Sequence, residues 1–279
     1  MKKILALPFV LLFCSSLFAQ SGDVKSFRFG GTILPSLYWY SPDNVKKFKG
    51  DGSTAHFGVL INAEYSFSSN FAVGFGIGLS GGGGTIAFQD TAHYYFNDDA
   101  IIKLGDTIHN KFTHYKLNSR TYKATYYIIP ISLKMRTNEI GHIRYFFQPG
   151  VNLGLRQKVR ADDELSTLSN SVPNKTPYGP LSSSVPQSAS QTDLDISDDM
   201  SFFTFSAVIS AGCEYYLSGS TAVVFSLGYD YGLSNVVSGT SAYLMKTPMA
   251  SNATDGKTMH EVDQKFYQQG LILSIGILF

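Results

Sequence analysis

The chain has 279 residues with 22 basic and 21 acidic side chains, so a formal net charge of +1 offers no basic stripe and excludes nucleic acid as a partner. Aromatic residues make up 14% and glycine fills 26 positions, high for a soluble domain. Beyond the first residues no window is apolar enough for a transmembrane helix, which excludes membrane helices but not membrane strands.

The amino terminus reads as a secretory leader. Lys2 and Lys3 form a basic region, Ile4 to Phe13 an apolar run too short to span a bilayer, and Ser15 to Ala19 a small-residue cleavage region. The pattern predicts a signal peptide over residues 1–19 and a mature domain over 20–279. Phe13 precedes Cys14 where a lipobox needs Gly or Ala, which argues against lipidation. Removing Lys2 and Lys3 leaves 20 basic against 21 acidic residues. Cys213 is then the one cysteine of the mature chain, so no intramolecular disulfide can form.

Alternating stretches follow in order. The first places Phe27, Phe29, Gly31, Ile33, Pro35, Leu37 and Trp39 on one face, and the second Ala55, Phe57, Val59, Ile61, Ala63, Tyr65 and Phe67. The third runs Phe71 to Leu79, the fourth Tyr127 to Met135, the fifth Ile143 to Leu155. Phe203 to Tyr215, Val223 to Leu233 and Tyr267 to Phe279 complete the set. Successive side chains of a strand point to opposite faces, so each stretch presents one apolar and one mixed face. The connections alternate too. Ser68–Asn70, Thr137–Gly141 and Ser218–Ser220 are short, whereas Ser41–Ser53, Gln89–Asn118, Ala161–Asp199 and Asn235–Asp263 are long. The expectation is an all-β, transmembrane, antiparallel up-and-down barrel of about eight strands, with periplasmic turns and termini and extracellular loops. Aromatics near the strand ends fit two interfacial girdles: Tyr65, Phe67, Phe71, Tyr215 and Phe279 on one rim, and Trp39, Phe203, Tyr229, Tyr231 and Tyr267 on the other.

Charge follows the same phase. The outward faces are nearly uncharged, whereas Glu64, Lys134, Arg144, Arg156, Lys158, Glu214 and Asp230 fall on the inward phase. A barrel this narrow is filled by side chains, so these groups are expected to pair across the axis as a plug, with Gly74, Gly76 and Gly78 leaving them room. Pro130 and Pro149 fall almost opposite each other and predict a shared bulge or kink eased by Gly150.

Sites of chemistry are sparse. Gly74-Phe-Gly-Ile-Gly78 and Gly81–Gly84 lack the following helix and the Lys-Ser/Thr pair of a phosphate loop, and read as small lumen residues. No two histidines stand at a ligand spacing such as His-x-x-x-His, and no His-x-Ser pair or Asp/His cluster stands at a strand end, so neither a metal, a cofactor nor a catalytic residue is predicted. Asp193, Asp195, Asp198 and Asp199 read as the solvated shoulder of a flexible loop rather than a calcium site. Thr91 and Thr107, in Asp-Thr-aliphatic triplets, resemble O-glycosylation acceptors of Bacteroidetes.

Leu273-Ser-Ile-Gly-Ile-Leu-Phe279 resembles the terminal strand by which the barrel-assembly machinery recognises outer-membrane barrels, with Phe279 as the signal. Tyr126-Tyr-Ile-Ile-Pro-Ile-Ser-Leu-Lys134, Gly212-Cys-Glu-Tyr215 and Tyr229-Asp-Tyr-Gly-Leu-Ser-Asn235 resemble blocks of the PorT-like outer-membrane barrel family of Bacteroidetes. Ile128 departs from that pattern, standing where the family often has Glu. The resemblance covers the mature chain. It implies an outer-membrane location in contact with lipid, and a non-enzymatic role as an accessory of type IX secretion or envelope integrity through partner proteins. A loop-based surface binding protein or adhesin is the alternative, ahead of a lipid-modifying enzyme or a small porin.

Overall fold

The computed structural model describes residues 26–88, 92–94, 102–104, 107–109, 115–167, 188–246 and 260–279. The leader, its cleavage site and Thr91 lie outside the described residues, and Thr107 falls in a three-residue strand. In chain order the strands are β1 (Ser26–Pro42), β2 (Phe48–Ser66), β3 (Phe71–Phe88), β4 (Ala92–Tyr94), β5 (Ile102–Leu104), β6 (Thr107–His109) and β7 (Tyr115–Arg136). They continue as β8 (Ile143–Thr167), β9 (Ser188–Asp195), β10 (Phe203–Ser218), β11 (Thr221–Gly232), β12 (Thr240–Lys246), β13 (His260–Asp263) and β14 (Phe266–Leu278).

Eight of these, β1, β2, β3, β7, β8, β10, β11 and β14, pair antiparallel in a ring that closes where β14 meets β1. Gly30 opposes Leu278 at that seam, and Phe29 and Phe279 exchange backbone hydrogen bonds beside it. Closure removes every free edge over the spanning segment, the condition lipid imposes on a sheet. The turns joining β2–β3, β7–β8 and β10–β11 are short and share one end with the termini of the described chain, the turn end. Gly141 and Gly219 adopt positive φ (66° and 57°) there, the backbone that tight reversals need.

The outward face carries Phe29, Ile33, Phe57, Ile61, Phe75, Ile77, Ile131, Leu153, Ile209, Leu227 and Leu273, all exposed. Such a belt is unfavourable in water and favourable in lipid. Among the described residues no helix is long and apolar enough to cross a membrane.

The strands outrun the belt. An apolar band about 25 Å tall is crossed by about 9–11 tilted residues, yet β8 has 25 residues and β7 has 22. Four segments expected to be loops are therefore partly strand. β1 and β2 leave only residues 43–47 between them, β7 begins at Tyr115, and β8 continues to Thr167 with β9 paired along its far side. The fourth connection carries β12, which pairs with β13 and β4. This upper barrel, at the loop end, stands beyond the lipid-facing band.

Two of its irregularities bear on the lumen. Between β7 and β8 the register shifts by one residue, from Tyr126 opposite Arg156 to Thr125 opposite Lys158, so Gln157 is the extra residue of a bulge. No shift occurs at the prolines. Pro130 faces Asn152, and the ladder between Ser132–Gly150 and Met135–Phe147 merely lacks the pairs around Pro149, so the expected proline bulge is corrected to a bulge at Gln157. Proline removes a donor, which interrupts hydrogen bonding without adding a residue.

The second irregularity is Gly81–Gly84. β2 and β3 pair from Val59–Leu79 toward the turn end and again at Gly52–Thr85, but not between. All four glycines are buried, and a Cβ on Gly84 would lie 2.6 Å from the Tyr40 backbone nitrogen and 2.9 Å from Trp39 Cα. β3 here leaves its neighbour and leans across the inside of β1, an approach open only to residues without side chains.

Candidate functional site in the barrel lumen

The interior is organised in three levels. At the turn end the register sets Arg28 of β1 opposite Glu64 of β2, and the inward phase of β7 and β10 adds Lys134, Arg136 and Glu214. Gly74 stands opposite Glu64, and a Cβ there would crowd the Ser132 hydroxyl rather than the charged side chains. Arg28 Nη2 donates to Glu64 Oε1 at 2.7 Å and to Glu214 Oε2 at 2.9 Å. Lys134 Nζ lies 2.6 Å from Glu64 Oε2 and 2.9 Å from Glu214 Oε1. Arg136 donates to both carboxylates and, at 3.2 Å, to the Ser66 hydroxyl. Tyr216 donates to Glu214 Oε2 at 2.8 Å and accepts from Arg28 at 3.2 Å. Lys134 Nζ also sits 4.6 Å above the Phe146 ring, a cation–π contact. All five charged groups are buried. Burial of charge is tolerated where each ion has partners of opposite sign and its hydrogen bonds are made. Three cations and two carboxylates close this end.

The upper level is apolar. Tyr40, Phe48, Ile86, Phe88, Leu117, Tyr122, Val159, Leu165, Ile196 and Phe266 form a buried cluster. Phe48 meets Phe88 and Phe266 edge-on at 5.5 and 5.2 Å, favoured aromatic geometries. Within this core Arg120 holds Asp163 by two bonds, Nε to Oδ1 at 2.7 Å and Nη2 to Oδ2 at 2.8 Å. Its Nη1 lies 3.8 Å from Asp199 of a short 3-10 turn, Ser197–Asp199, tying that segment to the wall. On the outer surface of the upper barrel Lys123 pairs with Asp162, and Arg160 with Asp193 and Asp195. Partial burial works to raise the Asp162 carboxyl, but the Lys123 ammonium and the Asp193 backbone N–H outweigh it and hold it below its ordinary range. Asp195 is lowered by the Ser197 hydroxyl and backbone N–H. Asp193 and Asp195 thus bind arginine, and among the described residues no cluster of His, Cys, Asp or Glu could hold a metal ion.

Between these levels lies a cavity of about 170 Å³. Its walls include Leu34, Leu60, Tyr38, Tyr126, Asp230 and Gln268. Tyr38 reaches the Ser80 hydroxyl at 3.4 Å, below the glycine run.

Of the charged residues predicted for the lumen, the structure gathers Glu64, Lys134 and Glu214 into one cluster. Arg144 lies near the turn-end surface, 3.2 Å from Glu139 and 5.2 Å from the Tyr216 ring centroid. Arg156 donates to the carbonyls of Ser197 and Met200, fastening the segment before β10. Asp230 is buried apart from both clusters. Lys158 is exposed: the bulge at Gln157 inverts the phase beyond it, so its inward assignment is corrected. Val159, Ala161, Asp163 and Leu165 face inward instead.

Arg28, Arg136, Arg120 and Asp163 escaped the sequence reading, and Asp199, expected on a solvated loop shoulder, is corrected to a buried position beside Arg120. Arg28 between Phe27 and Phe29, and Arg136 after Met135, already stand on the inward phase, a signal that extending the alternation by one position would find. Phe279, the expected assembly signal, ends the last strand with an exposed ring 6.3 Å from that of Phe29.

Several solved structures are distantly similar to the chain. Neisserial surface protein A is 11% identical, with a TM-score of 0.39 over 92% of this chain and 98% of that one. Ail, the attachment invasion locus protein of Yersinia pestis, is 11% identical, with 0.33 over 90% and 98%. The outer membrane protease OmpT from Escherichia coli is 8% identical, with 0.33 over 94% and 99%. Likeness this distant carries no functional argument. None of the curated proteins matches the chain. The closed ring, the lipid-facing belt and a family match over residues 18–238 agree: the chain belongs to the outer membrane protein beta-barrel domain family.

Proposed function

We propose that this outer-membrane barrel is a non-enzymatic scaffold that works through protein contacts made by the upper barrel, not through conduction or catalysis. One observation carries this reading: the lumen is obstructed twice, by the buried ion cluster at the turn end and by the aromatic core above. A barrel blocked at two levels is a rigid rod presenting a surface. The turns and termini face the periplasm and the loop end faces outward, the arrangement usual for such barrels. The barrel-assembly machinery inserts it through the strand ending at Phe279. The resemblance to PorT-like barrels directs the first test to type IX secretion and envelope integrity. A deletion strain is expected to show an altered secretome or envelope sensitivity. Unchanged secretion with lost surface attachment would transfer the role to adhesion, a reading favoured by the length of β7 and β8 beyond the lipid band. In planar bilayers the purified protein is expected to give no steady conductance, and ohmic channels would overturn the scaffold.

A further inference from the structure

The mid-lumen cavity is lined by a carboxylate that pairs with no cation among the described residues. Asp230 of β11 is 3% exposed, lines the cavity and forms no ion pair among the described residues. The side chains of Ser206 and Asn152 lie against its carboxylate, yet Oδ1 has no hydrogen-bond partner. Lys134 of the turn-end cluster also lines this cavity, but its ammonium is held by Glu64 and Glu214. Asp230 opposes Val208 on β10, six residues along the strand from Glu214 and so roughly 20 Å away. An unpaired buried carboxylate is costly unless something of opposite charge joins it.

The surroundings of Asp230 are those of a binding site. It opposes Gly270 on β14, and the Tyr38 ring covers that glycine so closely that no Cβ would fit. Two residues on, Gln268 projects to the same side, and its Oε1 is also buried without a partner. Both the Gln268 amide and the Tyr126 ring abut Gly82, so these groups share one level of the lumen. A carboxylate oxygen and an amide oxygen, both without a hydrogen-bond partner, thus line one cavity with Tyr38 and Tyr126, and Leu34, Leu60 and Ile272 contribute to the wall. About 170 Å³ exceeds what a bare ion fills.

We propose that this cavity binds a small monovalent cation, an alkylammonium or a hydrated alkali ion, with Asp230 as its counter-charge. A single carboxylate suits one positive charge, whereas a divalent ion such as calcium takes six to eight oxygens. The two lining tyrosines, Tyr38 and Tyr126, favour an organic ammonium, which an aromatic ring can attract. The acceptor oxygens that the barrel leaves unsatisfied would then be used by the ligand.

The test is thermal unfolding of the purified full-length protein in detergent, in chloride salts of methylammonium, potassium or N-methylglucamine at equal ionic strength. Methylammonium is expected to raise the midpoint by several degrees relative to N-methylglucamine, saturating with concentration, because a ligand of the folded state stabilises it by mass action. A potassium response equal to that of methylammonium assigns the alkali ion, and a weaker one the organic cation. Asp230→Asn should abolish the salt difference. Ile272→Trp, which fills the cavity and spares the carboxylate, should do the same, so the result does not depend on one variant folding. Titration calorimetry of the wild-type protein with methylammonium and potassium should show saturable heat for at least one of them. Identical midpoints in all three salts, absence of heat from both, or a salt difference that survives Asp230→Asn would overturn the proposal. A midpoint that rises on acidification equally in every salt would mean that Asp230 simply carries a proton.

Discussion

The two closures of the lumen use opposite chemistries, and what surrounds each decides which. Where lipid covers the outside, the inside holds Arg28, Glu64, Lys134, Arg136 and Glu214 in a network of ion pairs. Where the barrel stands clear of the belt, the inside holds Phe48, Ile86, Leu117, Val159 and Phe266, while Lys123, Lys158 and Glu164 look outward. The lower barrel is inverted relative to a soluble protein and the upper barrel is not. Below, the apolar residues are consumed by lipid contact, so the interior is left to groups that must satisfy one another. Above, water takes the polar residues and the hydrophobic effect fills the centre.

The largest expected effect comes from breaking the lower closure. Glu214→Gln leaves three buried cations with one carboxylate and is expected to cost about 3–5 kcal/mol, the range for orphaning a buried partner, read by urea unfolding in micelles. A neutral outcome would mean that water reaches the cluster. The upper closure should respond to volume instead. Ile86→Ala is expected to cost about 2–5 kcal/mol and to increase protease cleavage of the upper barrel while the belt stays protected. Equal loss of protection in both halves would show one cooperative unit. The boundary between them is tested by phase. Leu153→Arg, below the bulge and facing lipid, is expected to cost roughly 2–4 kcal/mol near the midplane, whereas Lys158→Leu, above it and facing water, should change stability little. A large loss from Lys158→Leu would return that residue to the interior. The smallest effect is electrostatic. The Asp195 carboxyl is lowered on folding, so its contribution is complete above the unfolded value of about 3.9 and fades as pH falls through the lower folded one. Hydrogen exchange around Ser197–Met200 should accelerate in that acidic range, and Asp195→Asn should remove the dependence.

The ring of strands was legible because lipid demands an apolar residue at every second position it touches, and Phe27 to Trp39 or Ile143 to Leu155 meet that demand without exception save glycine and proline. The upper barrel was not, because outside lipid a strand owes its ladder to the backbone. Residues 161–167 show Asp162 and Glu164 to water and read as loop, although they pair with β7 and with β9. The lumen residues were half legible. Glu64, Lys134 and Glu214 follow from phase alone, and Arg28 and Arg136 stand in the same phase at the margins of the runs. Lys158 could not be placed, since one extra residue at Gln157 reverses parity while the odd positions stay apolar: Leu153 meets lipid, and Val159 the core.

The glycine run at residues 81–84 has a consequence for anyone wishing to convert this barrel into a conduit. Near Tyr40 and Tyr122 the obstruction includes main chain, β3 itself drawn against β1. Trimming the aromatic side chains would therefore create voids without an aperture. Widening the passage would require re-pairing β3 with β2 over residues 53–58, a change in the hydrogen-bonded circumference rather than in its filling.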